Sequence, residues 1–482
     1  MNQLRQQWST LVRNPGRAAA LLFALAIPLS GLVNILLYYL GLCLEKNTIR
    51  SGLFIVLNLI FSILVGLFFL YTLWKRKIIR QNLILLTLSL LFFVVYYGMA
   101  IWKHGLAGPV LASGQEFIAF CVPALMAGAI GAVWQKDTSL FFIVEKASFF
   151  LAPACIQYLL GAIFQCNPYN YGADLGIIGY MPWSYTILPV LMALCIQFAK
   201  GAPLRIPFQK KPLVHGQRVR GVLITLLWLA LLATGTRGTI FCALFFFVLL
   251  VIYQFRQKTA RKRTAWMCGI LVGFYILNLF VVTFPGMQRI SRMNVFLTGI
   301  VQGELSTSTV NENLTDAQID ALVSSGAGED APSSNDEEAP PSSNDEQAPP
   351  SSGDQEGTQI PGNRGTLFKV AFQEWKTSPV TGIGPFAYQF KYSLYPHSAL
   401  LELLCETGIV GIILLLSLLL IAAIRMLRHG EKGWLMLVFL LPYGLNANIS
   451  GTIWACSQLL FALGYGLALH EPKRSAKGTE TE

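Results

Sequence analysis

The stretch GVLITLLWLALLATGTRGTIFCALFFFVLLVIY, residues 221–253, decides the fold. Two apolar runs flank a three-residue turn, Thr234-Gly235-Thr236, and Arg237 carries the one charge in the whole stretch. Backbone this apolar has no water to bond in a bilayer and must satisfy its own N–H and C=O groups, which here means helices. The turn is too short to let Arg237 drift into solvent, so the guanidinium stays at the membrane face.

The same pattern recurs along the 482 residues, of which 54% are apolar and 13% charged, against about 25% charged in ordinary soluble domains. Apolar runs lie at roughly 18–40, 52–74, 82–101, 115–134, 147–165, 184–199, 220–235, 237–254, 267–284, 398–424, 433–449 and 451–470. Most approach the ~20 residues needed to cross hydrocarbon. The sequence therefore predicts an all-α integral membrane protein with about 12 transmembrane helices. Residues 1–17 are basic, but the apolar run from Ala18 to about Leu42 is too long for a cleavable signal and reads as the first span.

A net charge of +11 raises the possibility of nucleic acid, and its distribution argues against it. Segments 1–17, 75–81, 135–147, 200–220, 254–266, 425–433 and 471–482 hold 26 of the 36 Lys and Arg, and everything else holds 10. That is the positive-inside bias of a multi-pass protein, and it puts both termini in the cytoplasm. Six spans then form an amino-terminal bundle, 1–219, and six form a core, 220–470, followed by a tail, 471–482. Residues 285–396 become a large extracytoplasmic loop between spans nine and ten. Trp74, Trp102, Trp134, Trp183, Trp266 and Trp434 fall near predicted span ends, where interfacial aromatics belong.

Within the loop, 304–357 repeats a nine-residue unit, Pro332 to Pro340 and Pro341 to Pro349, and carries 13 of the 25 acidic residues. So few apolar residues cannot bury a core, and the tract reads as a disordered insert. The flanks, 286–301 and 362–396, have helix-compatible apolar spacing, as in Leu367, Val370, Ala371, Phe372 and Trp375. Nine cysteines are scattered through apolar runs with no metal-type spacing, so neither a metal nor a disulfide framework is indicated.

Arg237 is either a snorkelling interfacial cation or part of an anion site. Its position at the amino end of a helix, where free N–H groups and the helix dipole favour phosphate, points to the second. His397 follows Pro396 and opens a leucine-rich helix. It is either a resident of the interface or a neutral imidazole able to take a proton from a hydroxyl. Glu402 and Glu406 lie a turn apart on one face of that helix, and carboxylates at such depth are paired or functional; a structural role is favoured. Glu406-Thr407-Gly408 marks a helix break or a partner for a cation. Arg289, Arg292 and Arg364 bracket the acidic insert and either face water or line one electropositive pocket with Arg237. Tyr169, Tyr171, Tyr180 and Trp183 on the loop 166–183 are either stacking faces for sugars or interfacial anchors.

At these residues the chain resembles the O-antigen ligase and polymerase superfamily, bacterial membrane glycosyltransferases of the GT-C type. That family pattern runs Ser-Arg-Gly, a large outer loop, Arg…Trp, Pro-x-x-Gly-x-Gly, then His-Asn opening a helix that reaches Glu-x-Gly. Here the order is Thr236-Arg237-Gly238, Arg364…Trp375, Pro379-Val-Thr-Gly382-Ile-Gly384, and His397-Ser398…Glu406-Thr-Gly408, within about 220–425. Thr236 stands for the usual Ser, Ser398 for the usual Asn, and the acidic repeat is extra.

The resemblance implies a polyprenyl-diphosphate-linked glycan donor and a glycan, lipid or wall-polymer acceptor, with no cofactor. Arg237 and Arg364, helped by Arg289 or Arg292, would hold the donor diphosphate, and His397 would activate the acceptor hydroxyl. Ser398, Glu406 and Trp375 would support them. The chain contains no Asp-x-Asp motif, so no metal need be invoked. The expected location is the bacterial cytoplasmic membrane with the site outside. Ligase-type transfer is favoured over repeat-unit polymerisation because the motifs sit late in the chain. The rivals from other classes are a transporter or flippase, which predicts duplicated halves and mid-membrane charges, and a non-catalytic envelope scaffold. No such duplication is visible.

Overall fold

A computed structural model describes residues 15–39, 48–75, 77–134, 139–164, 180–207, 212–234, 236–257, 261–280, 364–450, 452 and 456–470. Described residues fold into helices: α1 (Pro15–Leu25), α2 (Leu29–Tyr39), α3 (Thr48–Trp74) and α4 (Arg80–His104). Then come α5 (Gly108–Glu116), a wide π turn (Phe117–Cys121), α6 (Val122–Trp134), α7 (Ser139–Phe164), α8 (Tyr180–Lys200), α9 (Gly216–Ala233), α10 (Arg237–Gln257) and α11 (Arg261–Phe280). The carboxyl-terminal part holds α12 (Arg364–Thr377), α13 (Ala387–Tyr392), α14 (Ala399–Arg428), α15 (Glu431–Ser450) and α16 (Ser457–Ala468). Eight of these segments are long and apolar enough to cross a membrane. The protein is an all-helical integral membrane protein. Residues 285–301, the acidic repeat at 304–357, Arg289, Arg292, Tyr169 and Tyr171 lie outside the described residues.

The bundle is held by close backbone crossings. α16 lies along α6 in its most extensive helix pairing, made possible by Gly128 and Gly464. A Cβ on Gly128 would stand 2.3 Å from the Phe461 carbonyl oxygen, and one on Gly464 2.0 Å from that of Leu125. Small residues at such crossings let dispersion contacts replace a hydrophobic drive that lipid does not supply. Exposed apolar side chains cover α3 and the free face of α14, as in Leu59, Ile63, Leu67, Ile413 and Leu420.

Two ends of the bundle can be told apart by their chemistry. At one end, Arg220 on α9 and Glu145 on α7, both 0% exposed, form an ion pair at 3.0 Å. Arg220 also donates to the Ala202 carbonyl at 2.7 Å. Nearby, Arg425 on α14 donates to Asn82 of α4 and to the Leu467 carbonyl of α16, and Lys200 pairs with Glu431 at 2.9 Å. The other end carries the predicted site. Trp74, Trp102 and Trp266 are exposed, as interfacial aromatics should be. Trp183 is a correction: it is 2% exposed, packed beside Tyr158, and so offers no face for a sugar or a headgroup.

Candidate functional site

The site is built on a break in α14. Gly408 has φ 63 and ψ −163, so the helix stops hydrogen-bonding to itself there. The turn Pro379–Gly384 fills the gap. Ile383 and Gly384 donate backbone N–H groups to the carbonyls of Cys405 and Glu406 at 2.9 and 3.1 Å. In return Ile409 and Val410 donate to those of Pro379 and Val380 at 3.0 and 3.2 Å. Such contact requires bare backbone on both sides. A Cβ on Gly382 would stand 2.3 Å from the Glu406 carbonyl carbon, and one on Gly408 2.3 Å from the Val380 carbonyl oxygen. Both glycines also have positive φ, where a side chain is strained. The Gly-x-Gly and Glu-x-Gly patterns are thus two halves of one joint.

Helices α12 and α13 sit on this joint. Leu367, Val370 and Ala371 pack with Tyr388, Tyr392 and Cys405 in a small core of their own. Glu374, buried, pairs with Lys391 at 2.7 Å and accepts from the Tyr392 hydroxyl, while Tyr388 donates to the Leu367 carbonyl at 3.2 Å. Burial pushes both phenols far above their ordinary pKa, with Glu374 adding to the rise, so both remain donors. Trp375 donates its indole N–H to the Pro379 carbonyl at 3.1 Å, which gives it a structural role in anchoring the turn. The end of α4 reaches the same turn: Lys103 Nζ donates to the Ile383 carbonyl at 3.3 Å. His104 Nε2 lies 3.1 Å from the Pro385 carbonyl and its ring stacks on Phe390.

Glu406 accepts from the Tyr96 hydroxyl of α4, and Tyr96 accepts from the Phe386 backbone N–H at 3.2 Å. Glu402 accepts from Thr452 through both oxygens, at 2.9 and 2.7 Å. Both carboxylates are therefore tied into packing.

His397 does not itself open the helix. It precedes the capping residue and adopts the left-handed conformation, φ 55, between buried Pro396 and buried Ser398, with its ring centroid 4.1 Å from that of Tyr395. A non-glycine residue held there costs about 1–3 kcal/mol and is a common mark of functional sites. Ser398 caps α14 by accepting the Leu401 N–H at 3.4 Å, the ordinary task of a capping hydroxyl. The next orphan, the Leu400 N–H, goes to Asn448 Oδ1 of α15 at 3.0 Å. The start of the histidine helix is thus already supplied with acceptors.

The start of α10 differs. Thr236 precedes Arg237, is 7% exposed, and its Oγ1 is buried with no hydrogen-bond partner among the described residues. The backbone of Arg237 opens α10 and that of Arg364 opens α12, while both side chains lie outside the described residues. Helix α15 joins the two helix starts. It packs along α10, where Cys242 Sγ lies 3.0 Å from the Pro442 carbonyl, and reaches α14 through Asn448. Among the described residues no group of three or more His, Cys, Asp or Glu gathers as a metal site would need.

Residues 222–416 match the family model described as O-antigen ligase. This region belongs to the O-antigen ligase and polymerase superfamily. The O-antigen ligase match spans the Thr236-Arg237-Gly238 turn, Arg364, the 379–384 turn, His397 and the Glu406–Gly408 break, so the interlocked joint lies wholly inside it. No curated protein matches the chain. The protein is an integral membrane protein that carries this O-antigen-ligase-like region at residues 222–416. Sequence reasoning missed Tyr96, Asn448 and Thr452. The last two belong to a polar run, Asn446-Ala-Asn448-Ile-Ser450-Gly-Thr452, at a predicted junction between apolar spans, and that polarity was the available signal.

Proposed function

We propose that this protein transfers a glycan from a polyprenyl diphosphate to an acceptor hydroxyl at the outer face of the bacterial cytoplasmic membrane, with both termini inside. The observation that carries the reading is the contrast between two helix starts. The start of α14 has its N–H groups answered by Ser398 and Asn448. The start of α10 has a buried hydroxyl without a partner among the described residues, beside Arg237, and a helix N-terminus with an adjacent guanidinium suits a phosphate. The anion belongs at Arg237 and the imidazole at His397.

In the transfer, the acceptor O–H gives its proton to the imidazole of His397 as its oxygen bonds to the anomeric carbon. The bond from that carbon to the diphosphate oxygen breaks, and its electron pair leaves with the lipid diphosphate. Arg237 and Arg364, with Arg289 or Arg292, meet the charge that develops there, needing no metal. Loss of one such preorganised donor costs roughly 2–4 kcal/mol of barrier, by analogy with oxyanion holes. Ligase-type transfer to a different acceptor remains favoured over repeat-unit polymerisation, on the late position of the motifs.

The test is release of free lipid diphosphate from a lipid-diphosphate glycan, with an acceptor extract, by purified protein in lipid. Arg237→Lys is expected to lose nearly as much turnover as Arg237→Ala, because a point charge does not replace a planar fork. Near wild-type turnover in the Lys variant would sink diphosphate clamping. Glycan flux across vesicles without bond cleavage would favour a flippase.

A further inference from the structure

Beyond the family match, which ends at residue 416, Asn448 at the end of α15 and Thr452 after it reach the start of the histidine helix. Asn448 Oδ1 takes the Leu400 N–H at 3.0 Å, two residues after Ser398. Asn448 is itself oriented by donating its amide to the Gly444 carbonyl at 2.8 Å. Thr452 donates to the buried carboxylate of Glu402 one residue beyond Leu401, at 2.7 and 2.9 Å, and the Glu402 N–H closes the first turn on the Ser398 carbonyl at 2.9 Å. Asn448 in the last turn of α15 and Thr452 just beyond it therefore grip the first turn of α14, immediately after a histidine held in a strained conformation.

We propose that Asn448 and Thr452 are positioning residues for His397, so that the end of α15 serves the catalytic apparatus. The reason is mechanical. His397 lies just before the cap of α14, and the direction of its Cα–Cβ bond follows from where residues 398–402 are fixed. Were the first turn free to rotate or fray, the imidazole would move with it, and displacements of about 1 Å in a reacting group cost up to 10²-fold in rate. Asn448 fixes that turn laterally from a helix that also packs along α10, and Thr452 does so from just beyond its end. They thereby set the separation of the histidine from the start of the arginine helix.

This inference rests on His397 as the proton acceptor, and the experiment separates the two. His397→Ala is assayed first for lipid-diphosphate release; if it retains wild-type turnover, the proton-acceptor reading falls by itself. With His397→Ala inactive, Thr452→Val and Asn448→Leu are compared with Thr452→Ser and Asn448→Asp, which restore the hydroxyl and the acceptor oxygen. Positioning predicts a fall in kcat of about 10–100-fold for Val and Leu, with the KM for donor within about twofold, a changed pH–rate profile, and recovery in Ser and Asp. Unchanged kcat and pH profile in Val and Leu overturns it. So does an equal loss in Ser and Asp, or a loss that raises donor KM alone. Asn448 is exposed, so its pair of variants decides the matter even if Thr452→Val does not fold.

Discussion

A histidine at φ 55 between a buried proline and a capping serine has little room to swing. Neighbouring residues share the constraint, since Phe386 and Ser393 also adopt left-handed backbone at the two ends of α13. The glycines of the joint are where such constraint is most exposed to test. Gly408→Ala and Gly382→Ala would each add a methyl 2.3 Å from opposing backbone at positive φ. Each is expected to cost about 1–3 kcal/mol from conformational strain and about as much again from overpacking, and to lower the thermal midpoint in detergent together with turnover. Gly66→Ala, in open space on α3, serves as the control and should be neutral or slightly stabilising. A Gly408→Ala protein that melts and turns over like wild type would mean that the two motifs are not interlocked.

At the scale of elements, most of the helices were legible because twenty apolar residues have one solution in lipid. The Glu406–Gly408 break was half legible: the triplet read as a helix break or a partner for a cation, and Gly408 at φ 63 is the break. What escaped was orientation. Tyr96 reads as one more aromatic in span three, and nothing local says that its hydroxyl meets Glu406, 310 residues away. Trp183 reads as an interfacial anchor, and tertiary packing took it inside. Hydropathy gives the depth of a residue, not which neighbour its face meets. The Arg220–Glu145 pair is of the same type, joining α7 and α9 where the sequence shows an unremarkable basic segment. Removing one partner leaves a buried charge uncompensated, which costs about 3–5 kcal/mol. Glu145→Leu and Arg220→Met are each expected to lower the thermal midpoint sharply, and the double substitution to recover part of the loss. Additive losses would show that the pair is not coupled.

Over the whole molecule, the division of 26 basic residues against 10 predicts a cytoplasmic end, and among the described residues the Arg220 pair and Arg425 lie at the opposite helix ends from Thr236 and His397. The acidic insert at 304–357 is the feature least connected to this plan. Its deletion is expected to leave most of the lipid-diphosphate release intact in purified protein, because its composition supplies no core and long insertions in loops carry little entropic cost. An inactive deletion protein that still binds donor would make the insert a participant. The joint between α14 and the 379–384 turn has a consequence for traffic. Four backbone hydrogen bonds across it, each worth about 0.5–1.5 kcal/mol net, act together with the Lys103 and His104 contacts from α4 to rivet α12 and α13 onto the spanning helices. A roof fastened in this way resists lifting, so on the proposed transfer a bulky saccharide would come and go around its eaves.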